Sequence, residues 1–292
     1  MFASRRQLRL VDVDLSYSDP GLRIVGENLY VHAPHGEHRG VRLNLLRTPA
    51  GYVVAVAGQS SPARHTLSEL FQDAEMEITE AALERLRQRY LPLHAAAVAR
   101  HGAGLLVIGA HDAGKTSLAC ALARSGATLL SDDIAPVRPS DLTVFPFPRD
   151  LILHEGTRRT LGGLPPSPGF KCFGGYRHLP PTTLSTGLPR AVPVCGLLFP
   201  RRAEGVRVVP SSKVGPAESA RCLLEQCFDL EGVGGVQCSD CATRLARLPA
   251  ARISFLTMPP MQSNRCGAGL GYQQGSFRSR GRGRPIIRRP DP

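Results

Sequence analysis

Three features of the sequence predict an α/β fold, with a larger core preceded by a smaller mixed β/α module. First, the apolar run Leu105–Ile108 is followed by a glycine-rich loop and by Thr116–Arg124, whose apolar residues recur at helical spacing. Second, a further apolar run, Ala127–Leu130, follows that helix, as in a strand–helix–strand unit. Third, residues 1–66 alternate apolar and polar side chains between turns, which is typical of antiparallel strands.

Local patterns place the elements of the smaller module. Alternation at 40–46 and 51–57 predicts two antiparallel strands, and 67–71 predicts a single helical turn. The segment Thr79–Tyr90 predicts a longer helix, because Thr79 suits the N-cap and the apolar side chains share one face.

The core is predicted to begin with a buried strand, Leu91–Val98, in which His94 is the polar member. A hairpin at 100–104 then leads into the strand that precedes the glycine loop. A lone histidine in an apolar strand is usually a core residue with satisfied hydrogen bonds. The alternative is that His94 approaches an acidic pair or a phosphate, and the spacing leaves both interpretations open.

The glycine-rich loop has the spacing G-x-x-x-x-G-K-[ST] of a phosphate-binding loop. Its glycines allow the backbone to turn successive N–H groups toward a phosphate, and the following helix N-terminus adds partial positive charge. Lys115 is expected to reach the outer phosphates, and the Thr116 hydroxyl suits Mg²⁺. The alternative is a chance match in a glycine-rich chain. The residues predicted to surround the phosphates are Gly109, Ala110, His111, Asp112, Ala113, Gly114, Lys115, Thr116 and Ser117.

Two adjacent carboxylates, Asp132 and Asp133, follow the next predicted strand. In a parallel sheet the carboxyl ends of strands joined by a helix lie at one edge, so we expect this pair beside the phosphate loop. One carboxylate would hold Mg²⁺ directly or through water, and the other would take a proton from an attacking hydroxyl. The alternative is a solvated turn or a helix cap.

Farther along the chain the pattern is less regular. The segment 162–189 is rich in Gly and Pro and is predicted to be a long loop. Strands are predicted at Val192–Pro200 and Val206–Val209, and a helix at Glu218–Phe228.

The segment 93–133 resembles HPr kinase/phosphorylase and its kinase-like relatives. That family has a Leu-His pair, a strand, a phosphate loop, a helix and an Asp-Asp pair in this order. His94 lies 21 residues before Lys115 and Asp132 lies 17 residues after it, which matches the family's spacing. Most other phosphate-loop proteins place the metal-binding Asp much farther along, so this pattern is more specific than the loop alone. The similarity covers about residues 91–148.

The resemblance implies a P-loop nucleotide-binding core of the HPr kinase/phosphoenolpyruvate carboxykinase type, with ATP and Mg²⁺ as cofactors. It implies that Asp132 is the general base and that Asp133 and Thr116 belong to the metal shell. Lys115 would bind the β- and γ-phosphates, and His94 would support Asp132 or the transferring phosphoryl group. The implied partner is a peptide or small protein that offers a Ser or Thr hydroxyl. The family also tends to form homo-oligomers, and some members use pyrophosphate, so the donor stays open.

The chain departs from the family in two places. The loop contains His111-Asp112-Ala113 where the family has a Ser-Gly pair and one more residue. Because a carboxylate would repel phosphate, we expect Asp112 to face outward or to cap the helix. The downstream Arg-Gly-Leu-Gly stretch of the bifunctional enzymes is not found, so a kinase-only relative is expected rather than a phosphorylase acting on HPr.

The net charge of +12 is unevenly distributed along the 292 residues. Residues 261–292 contain seven Arg, one Asp and neither Lys nor Glu, which gives +6. This composition predicts a disordered Arg/Gly-rich tail. Such a tail binds nucleic acid in some proteins, and the alternative is a solvated tail without a selected role.

Cysteine content and hydropathy favour a cytoplasmic protein without a membrane span. No apolar run reaches the roughly 18 residues of a membrane helix, and the N-terminus lacks the apolar stretch of a signal peptide. Of the eight cysteines, Cys238 and Cys241 form one C-x-x-C pair. A zinc site normally needs two such pairs, so reduced thiols are expected.

These observations predict three regions: a mixed β-rich module at 1–90, a kinase-like core at 91–260 and the tail at 261–292. They favour an ATP-dependent kinase that phosphorylates a hydroxyl. The first alternative is an NTPase or nucleotide-sensing regulator without a phosphoacceptor. A second alternative is a protein that binds nucleic acid through the Arg/Gly-rich tail. A kinase that phosphorylates a small molecule belongs to the same class as the favoured interpretation.

Overall fold

Strands and helices follow one another in a mixed α/β order. The structure is a computed structural model, and it describes residues 13–22, 41–147, 149, 151–153, 157, 171–173, 176–179, 183–184, 189–203, 208–228 and 235–256. The predicted tail at 261–292 lies outside these residues. The helices described are α1 (Leu67–Leu86), α2 (Lys115–Arg124), α3 (Pro216–Glu225) and α4 (Gly235–Ala246).

Within the described ranges, the strands form three sheets. They are β1 (Val13–Tyr17), β2 (Val41–Thr48), β3 (Gly51–Val56), β4 (Gln59–Ser60), β5 (Leu91–Leu93), β6 (Ala95–Arg100), β7 (Ala103–Ile108), β8 (Thr128–Ser131), β9 (Ala135–Arg138), β10 (Thr143–Val144), β11 (Leu151–Leu153), β12 (Lys171–Phe173), β13 (Tyr176–Leu179), β14 (Val192–Ala203), β15 (Val208–Lys213) and β16 (Ala250–Leu256). The first sheet has the order β1-β2-β3-β4. The large sheet has the order β5-β9-β10-β14-β7-β6-β8, with β16 beside β14 and β15 beside β16. The third has the order β11-β13-β12.

The first sheet confirms one strand pairing that the sequence predicts and contradicts another. Strands β2 and β3 form the expected antiparallel hairpin, whereas β1 runs parallel to β2. Alternation of apolar and polar side chains reports which face is buried, but it carries no information about strand direction. A parallel neighbour requires a crossover connection, and that connection falls between Leu22 and Val41, outside the described residues.

Helix α1 is one continuous helix where the sequence predicted two separate elements. Thr66 is its N-cap and Glu69 completes a capping box, so the helix begins at Leu67, 12 residues before Thr79. Thr79 is a buried residue inside the helix, and its prediction as an N-cap was wrong. The apolar face of α1 packs on the first sheet, where Phe71 is buried among leucine and valine side chains.

The predicted strand 91–98 is divided at His94 into two strands with different partners. Strand β5 pairs with β9, whereas β6 pairs antiparallel with both β7 and β8. Strand β6 lies between β7 and β8, so these two strands are not adjacent in the sheet. They nevertheless run in the same direction, since both are antiparallel to β6. Their carboxyl ends therefore meet at one sheet edge, as expected.

Each face of the large sheet is covered by helices. Helix α2 packs on one face against Ala96, Val98 and Val107. Helices α3 and α4 pack on the other face, where Leu223 and Leu245 join the core. Helix α3 confirms the predicted helix near 218–228, whereas α4 and β16 have no counterpart in the prediction.

The segment 162–189 is not wholly the loop that its composition predicts. Strands β12 and β13 lie within it and pair antiparallel, and β13 pairs with β11. The high Gly and Pro content predicted a loop at positions that form two short strands. The described residues belong to one compact unit that ends at Pro259, and the boundary near residue 90 stays a prediction. None of the helices in the described ranges is long and apolar enough to cross a bilayer.

Candidate functional site

The glycine-rich loop connects the end of β7 to the start of α2. Gly114 is the helix N-cap and has φ 97°, a left-handed conformation that side chains disfavour. Gly109 has no room for a side chain, because an added Cβ would lie 2.9 Å from the Cβ of Ala113. Both glycines of the sequence motif therefore have a local structural reason. The N-terminal amides of α2 follow directly, in the position where helices bind anions.

Lys115 lies back against this loop. Its Nζ donates hydrogen bonds to the carbonyl oxygens of Gly109, at 2.9 Å, and Ala110, at 3.1 Å. The residue is only 7% exposed. Burial lowers the pKa of Lys115, and the charges of Asp133, Asp132 and then Asp112 act in the opposite direction. The ammonium group is thus within electrostatic range of both members of the acidic pair.

Asp132 follows the last residue of β8 and is joined to the loop helix. The Thr116 hydroxyl lies close enough to this carboxylate to act as a hydrogen-bond donor, which lowers the pKa of Asp132. The carboxylate oxygen Oδ1 is buried and has no hydrogen-bond partner among the described residues. Burial and the neighbouring charge of Asp133 raise the pKa of Asp132 to about 7. This carboxylate can therefore accept a proton near neutral pH.

Asp133 is held by two cationic or hydrogen-bonding groups. His94 Nε2 lies 3.1 Å from Oδ1, and Arg149 Nη1 lies 2.9 Å from Oδ2. Burial by itself would raise the pKa of Asp133, but the hydrogen bond from His94 and the charges of Arg149, His94 and Lys115 outweigh it and hold the pKa well below its usual range. The side chain still keeps 42% of its surface exposed. Asp133 is therefore an ionised carboxylate that remains accessible.

His94 lies at the break between β5 and β6 and is not an isolated core residue. Its backbone N–H donates to the Gln226 carbonyl at 2.7 Å, and its ring lies 5.6 Å from that of Phe228. The resemblance implied that His94 supports Asp132 or a phosphoryl group, whereas its hydrogen bond in the structure goes to Asp133. His94 belongs to neither β5 nor β6, so its environment differs from that of the buried strand residue that the sequence predicted.

Arg149 is a site residue that the sequence did not reveal. In addition to Asp133, its guanidinium contacts Glu75 of α1, with Nη2 and Oε2 separated by 3.7 Å. Both side chains are largely buried, with exposures of 12% and 8%. Glu75, Asp133 and Arg149 are far apart in the sequence, so no local spacing pattern could have connected them.

Other residues of the predicted phosphate loop face away from this cluster. The side chains of His111 and Asp112 are 43% and 62% exposed and lie 3.5 Å from each other. Asp112 thus faces outward, as expected for a carboxylate next to a phosphate site. Ser117 donates instead to the Thr157 hydroxyl at 3.1 Å in a buried contact. The backbone of Ala113 donates to the Ala110 carbonyl and closes the loop.

The side-chain oxygens near the loop fit a Mg²⁺ site only if water or substrate phosphates supply further oxygen ligands. Among residues that the structure describes, no group of three or more His, Cys, Asp or Glu is placed to hold a metal ion. That statement covers Cys238 and Cys241, which form no disulfide. Mg²⁺ is usually bound by one or two carboxylates, with water and substrate phosphates completing its shell. The Thr116 hydroxyl and the accessible Asp133 carboxylate are ligands of this kind.

A groove of about 450 Å³ lies elsewhere, at the opposite edge of the large sheet. It is lined mainly by apolar side chains, together with Arg100, Ser125 and Cys195. These residues lie near the amino ends of β7 and β14, whereas the acidic pair lies beyond the carboxyl end of β8. The groove is therefore separate from the candidate site.

Comparisons with known proteins add little to this description. No protein-family model matches the chain, and no curated protein matches it. Among solved structures, the chain is similar to the Hpr(Ser) kinase/phosphatase from Coxiella burnetii, with 13% sequence identity and a TM-score of 0.25. The match covers 59% of this chain and 82% of that chain. At this TM-score the similarity supports no conclusion about the fold, the activity or the substrate of the present protein.

Proposed function

We propose that this protein is an ATP-dependent kinase with a phosphate-loop core of the HPr kinase type. The proposed reaction transfers the γ-phosphoryl group of ATP to a Ser or Thr hydroxyl of a peptide or small protein in the cytoplasm. One observation carries the proposal: beside the Thr116 hydroxyl lies Asp132, whose Oδ1 is buried without a hydrogen-bond partner in the described part of the chain. A proton acceptor therefore lies beside the first turn after the loop.

Each residue of the cluster has a distinct role in this proposal. The loop amides and Lys115 bind the β- and γ-phosphates of ATP. Mg²⁺ held by Thr116 and Asp133, together with phosphate oxygens, supplies charge neutralisation. His94 and Arg149 keep Asp133 ionised by the contacts described above.

Asp132 is the proposed general base. It accepts the hydroxyl proton of the acceptor while the acceptor oxygen forms a bond to the γ-phosphorus. The bond from that phosphorus to the oxygen bridging to the β-phosphate breaks, and ADP leaves with its electron pair. Asp132 then releases its proton to solvent. Most of the acceleration in such a reaction comes from alignment and electrostatic stabilisation, without a covalent intermediate on the protein.

The raised pKa of Asp132 supports the kinase proposal over a purely structural role. A pKa of about 7 matches the requirement that a base be partly deprotonated near neutral pH. A nucleotide-sensing protein without an acceptor has no need for such a base. An NTPase that activates water does need one, so the geometry leaves water as the competing nucleophile.

The proposal is tested with γ-labelled ATP, Mg²⁺ and a library of Ser- and Thr-containing peptides and small proteins. The expected result is labelled acceptor in amounts equal to the ADP formed, with the modified residue identified by mass spectrometry. ADP release that does not depend on any acceptor, with label found only in inorganic phosphate, would instead establish an NTPase.

A further inference from the structure

The guanidinium of Arg149 connects the acidic pair to the N-terminal helix α1. Nη1 lies 2.9 Å from Asp133 Oδ2, and Nη2 lies 3.7 Å from Glu75 Oε2. The arginine is 12% exposed and Glu75 is 8% exposed. A planar guanidinium that is charged at every relevant pH can contact two carboxylates at once in a fixed geometry. Arg149 therefore has a defined orientation between two elements that are distant in the chain.

Asp133 is constrained through both of its oxygens. His94 contacts Oδ1 at 3.1 Å from the break between β5 and β6, and Arg149 contacts Oδ2 from the segment after β10. Two contacts on different oxygens restrict rotation of the carboxylate about its own axis. The side chain is still 42% exposed, so part of this restrained carboxylate remains open to a ligand.

Glu75 makes the position of α1 relevant to this arrangement. It lies on the buried side of α1, together with Ala74 and Ile78. Removal of Glu75 would take away one of the two carboxylates that balance the charge of this buried arginine, which is unfavourable. Arg149 thus depends on Glu75 for part of its charge balance, and Asp133 depends on Arg149 for its orientation.

We propose that Arg149 is a positioning residue for phosphoryl transfer, which orients the Asp133 carboxylate toward the metal and is itself held in place by Glu75 of α1. The proposal rests on the proposed kinase function. It assigns the N-terminal module a part in the active site, because α1 supplies the carboxylate that anchors Arg149. Arg149 touches neither nucleotide nor acceptor in this role and acts through Asp133.

The test measures the Mg²⁺ concentration that half-saturates binding of AMP-PNP, by isothermal titration calorimetry on the full chain. Arg149→Met is expected to raise that concentration by about 10- to 100-fold, the usual effect of losing a group that orients a metal ligand. Arg149→Lys is expected to recover part of the loss, because a lysine restores the charge but not the two-sided contact. The matched control is Arg138→Met, which removes an ion pair with Asp141 at the surface.

A double-mutant cycle with Asp133→Asn then tests whether Arg149 acts through Asp133. If it does, Arg149→Met has no further effect on Mg²⁺ dependence once Asp133 is neutralised. Fully additive effects of the two substitutions, or a Mg²⁺ dependence unchanged in Arg149→Met, would overturn the proposal.

Glu75→Gln keeps the test decisive if Arg149→Met does not fold, since it leaves Arg149 and Asp133 in place. It is expected to raise the Mg²⁺ requirement about tenfold or less, while Asp73→Asn on the same helix, which removes a contact with Arg64, leaves it unchanged. Equal effects of these two substitutions would overturn the part assigned to α1. The calorimetric readout needs no acceptor, so failure of the kinase proposal shows separately, as the absence of acceptor-dependent transfer by the wild-type protein.

Discussion

The Thr116 hydroxyl lies beside the Asp132 carboxylate and favours its ionised form, and this contact joins the first turn of α2 to the end of β8. The two residues belong to separate sequence features, the glycine loop and the acidic pair. Their contact shows that the sheet edge brings these features together, even though β6 separates β7 from β8.

Replacement of the proposed base should abolish transfer without abolishing nucleotide binding. Asp132→Asn keeps an oxygen that accepts from Thr116 but removes the proton-accepting carboxylate. We expect the rate of acceptor phosphorylation to fall by about 10²- to 10⁴-fold, with AMP-PNP affinity within a few-fold of wild type. Labelled-ATP assays provide the measurement, and Asp141→Asn, in an exposed turn, is the control. An undiminished rate in Asp132→Asn would exclude the base assignment.

The activity should rise with pH through the neutral range. Burial and the charge of Asp133 raise the pKa of Asp132 to about 7. The hydrogen bond from Thr116 and the charges of Arg149 and Lys115 oppose this rise without cancelling it. Since a base acts when deprotonated, kcat/KM should increase as the pH passes about 7. Asp133→Asn removes one cause of the raised pKa, so the inflection should move to lower pH. A profile without an inflection near neutrality contradicts this prediction.

The same shift makes Asp132 destabilising in the absence of ligands at high pH. Its pKa in the folded state lies above the value of about 3.9 in an unfolded chain, so the folded state binds the proton more tightly. The free energy of unfolding should therefore fall as the pH rises from about 4 to about 7. At pH near 8, Asp132→Asn should be more stable than wild type by about 1–3 kcal/mol, measured by urea unfolding. Equal stability at pH near 8 would argue that Asp132 is not desolvated.

Lys115 should contribute to nucleotide affinity as well as to the stability of the fold. Lys115 bonds to two loop carbonyls, at 2.9 and 3.1 Å. Loss of a charged hydrogen-bond donor to phosphate typically costs about 1.5–3 kcal/mol, so Lys115→Met should weaken AMP-PNP binding by about 10- to 100-fold. Lys213→Met, an exposed lysine on β15, is the matched control. Comparable affinities of the two variants would rule out a phosphate-binding role for Lys115.

Gly109 lies so close to Ala113 that a side chain at position 109 should disturb the loop, and a second substitution should reverse the effect. In Gly109→Ala the new Cβ would lie 2.9 Å from the Cβ of Ala113, closer than side-chain carbons approach. Overpacking of this kind costs about 1–3 kcal/mol and should distort the loop and weaken AMP-PNP binding. The double substitution with Ala113→Gly removes the opposing carbon, so binding should recover. Failure of the second glycine to restore affinity would show that steric contact with Ala113 is not the reason for glycine at 109.

Prediction from the sequence succeeded where the signal is local. The strand, loop and helix around Lys115 were placed within about two residues, because apolar periodicity and glycine spacing act over short distances. The start of helix α1 was predicted wrongly for an equally local reason. Thr66 and Glu69 form the capping box at which the helix begins, but the prediction followed the apolar pattern near Thr79. Strand direction in the first sheet depends on a distant connection and was therefore not predictable from alternation.

The sequence by itself determined which side chains are present at the site and in what order. Residue spacing along the chain is enough to place a lysine after the glycine loop and an acidic pair after the next strand. Tertiary structure alone decided how those groups are paired. It assigned His94 to Asp133, left Asp132 Oδ1 buried without a partner in the described chain, and introduced Arg149 and Glu75. The physical reason is that charge pairing and desolvation depend on distance and burial in space, and elements far apart in the sequence set both of these.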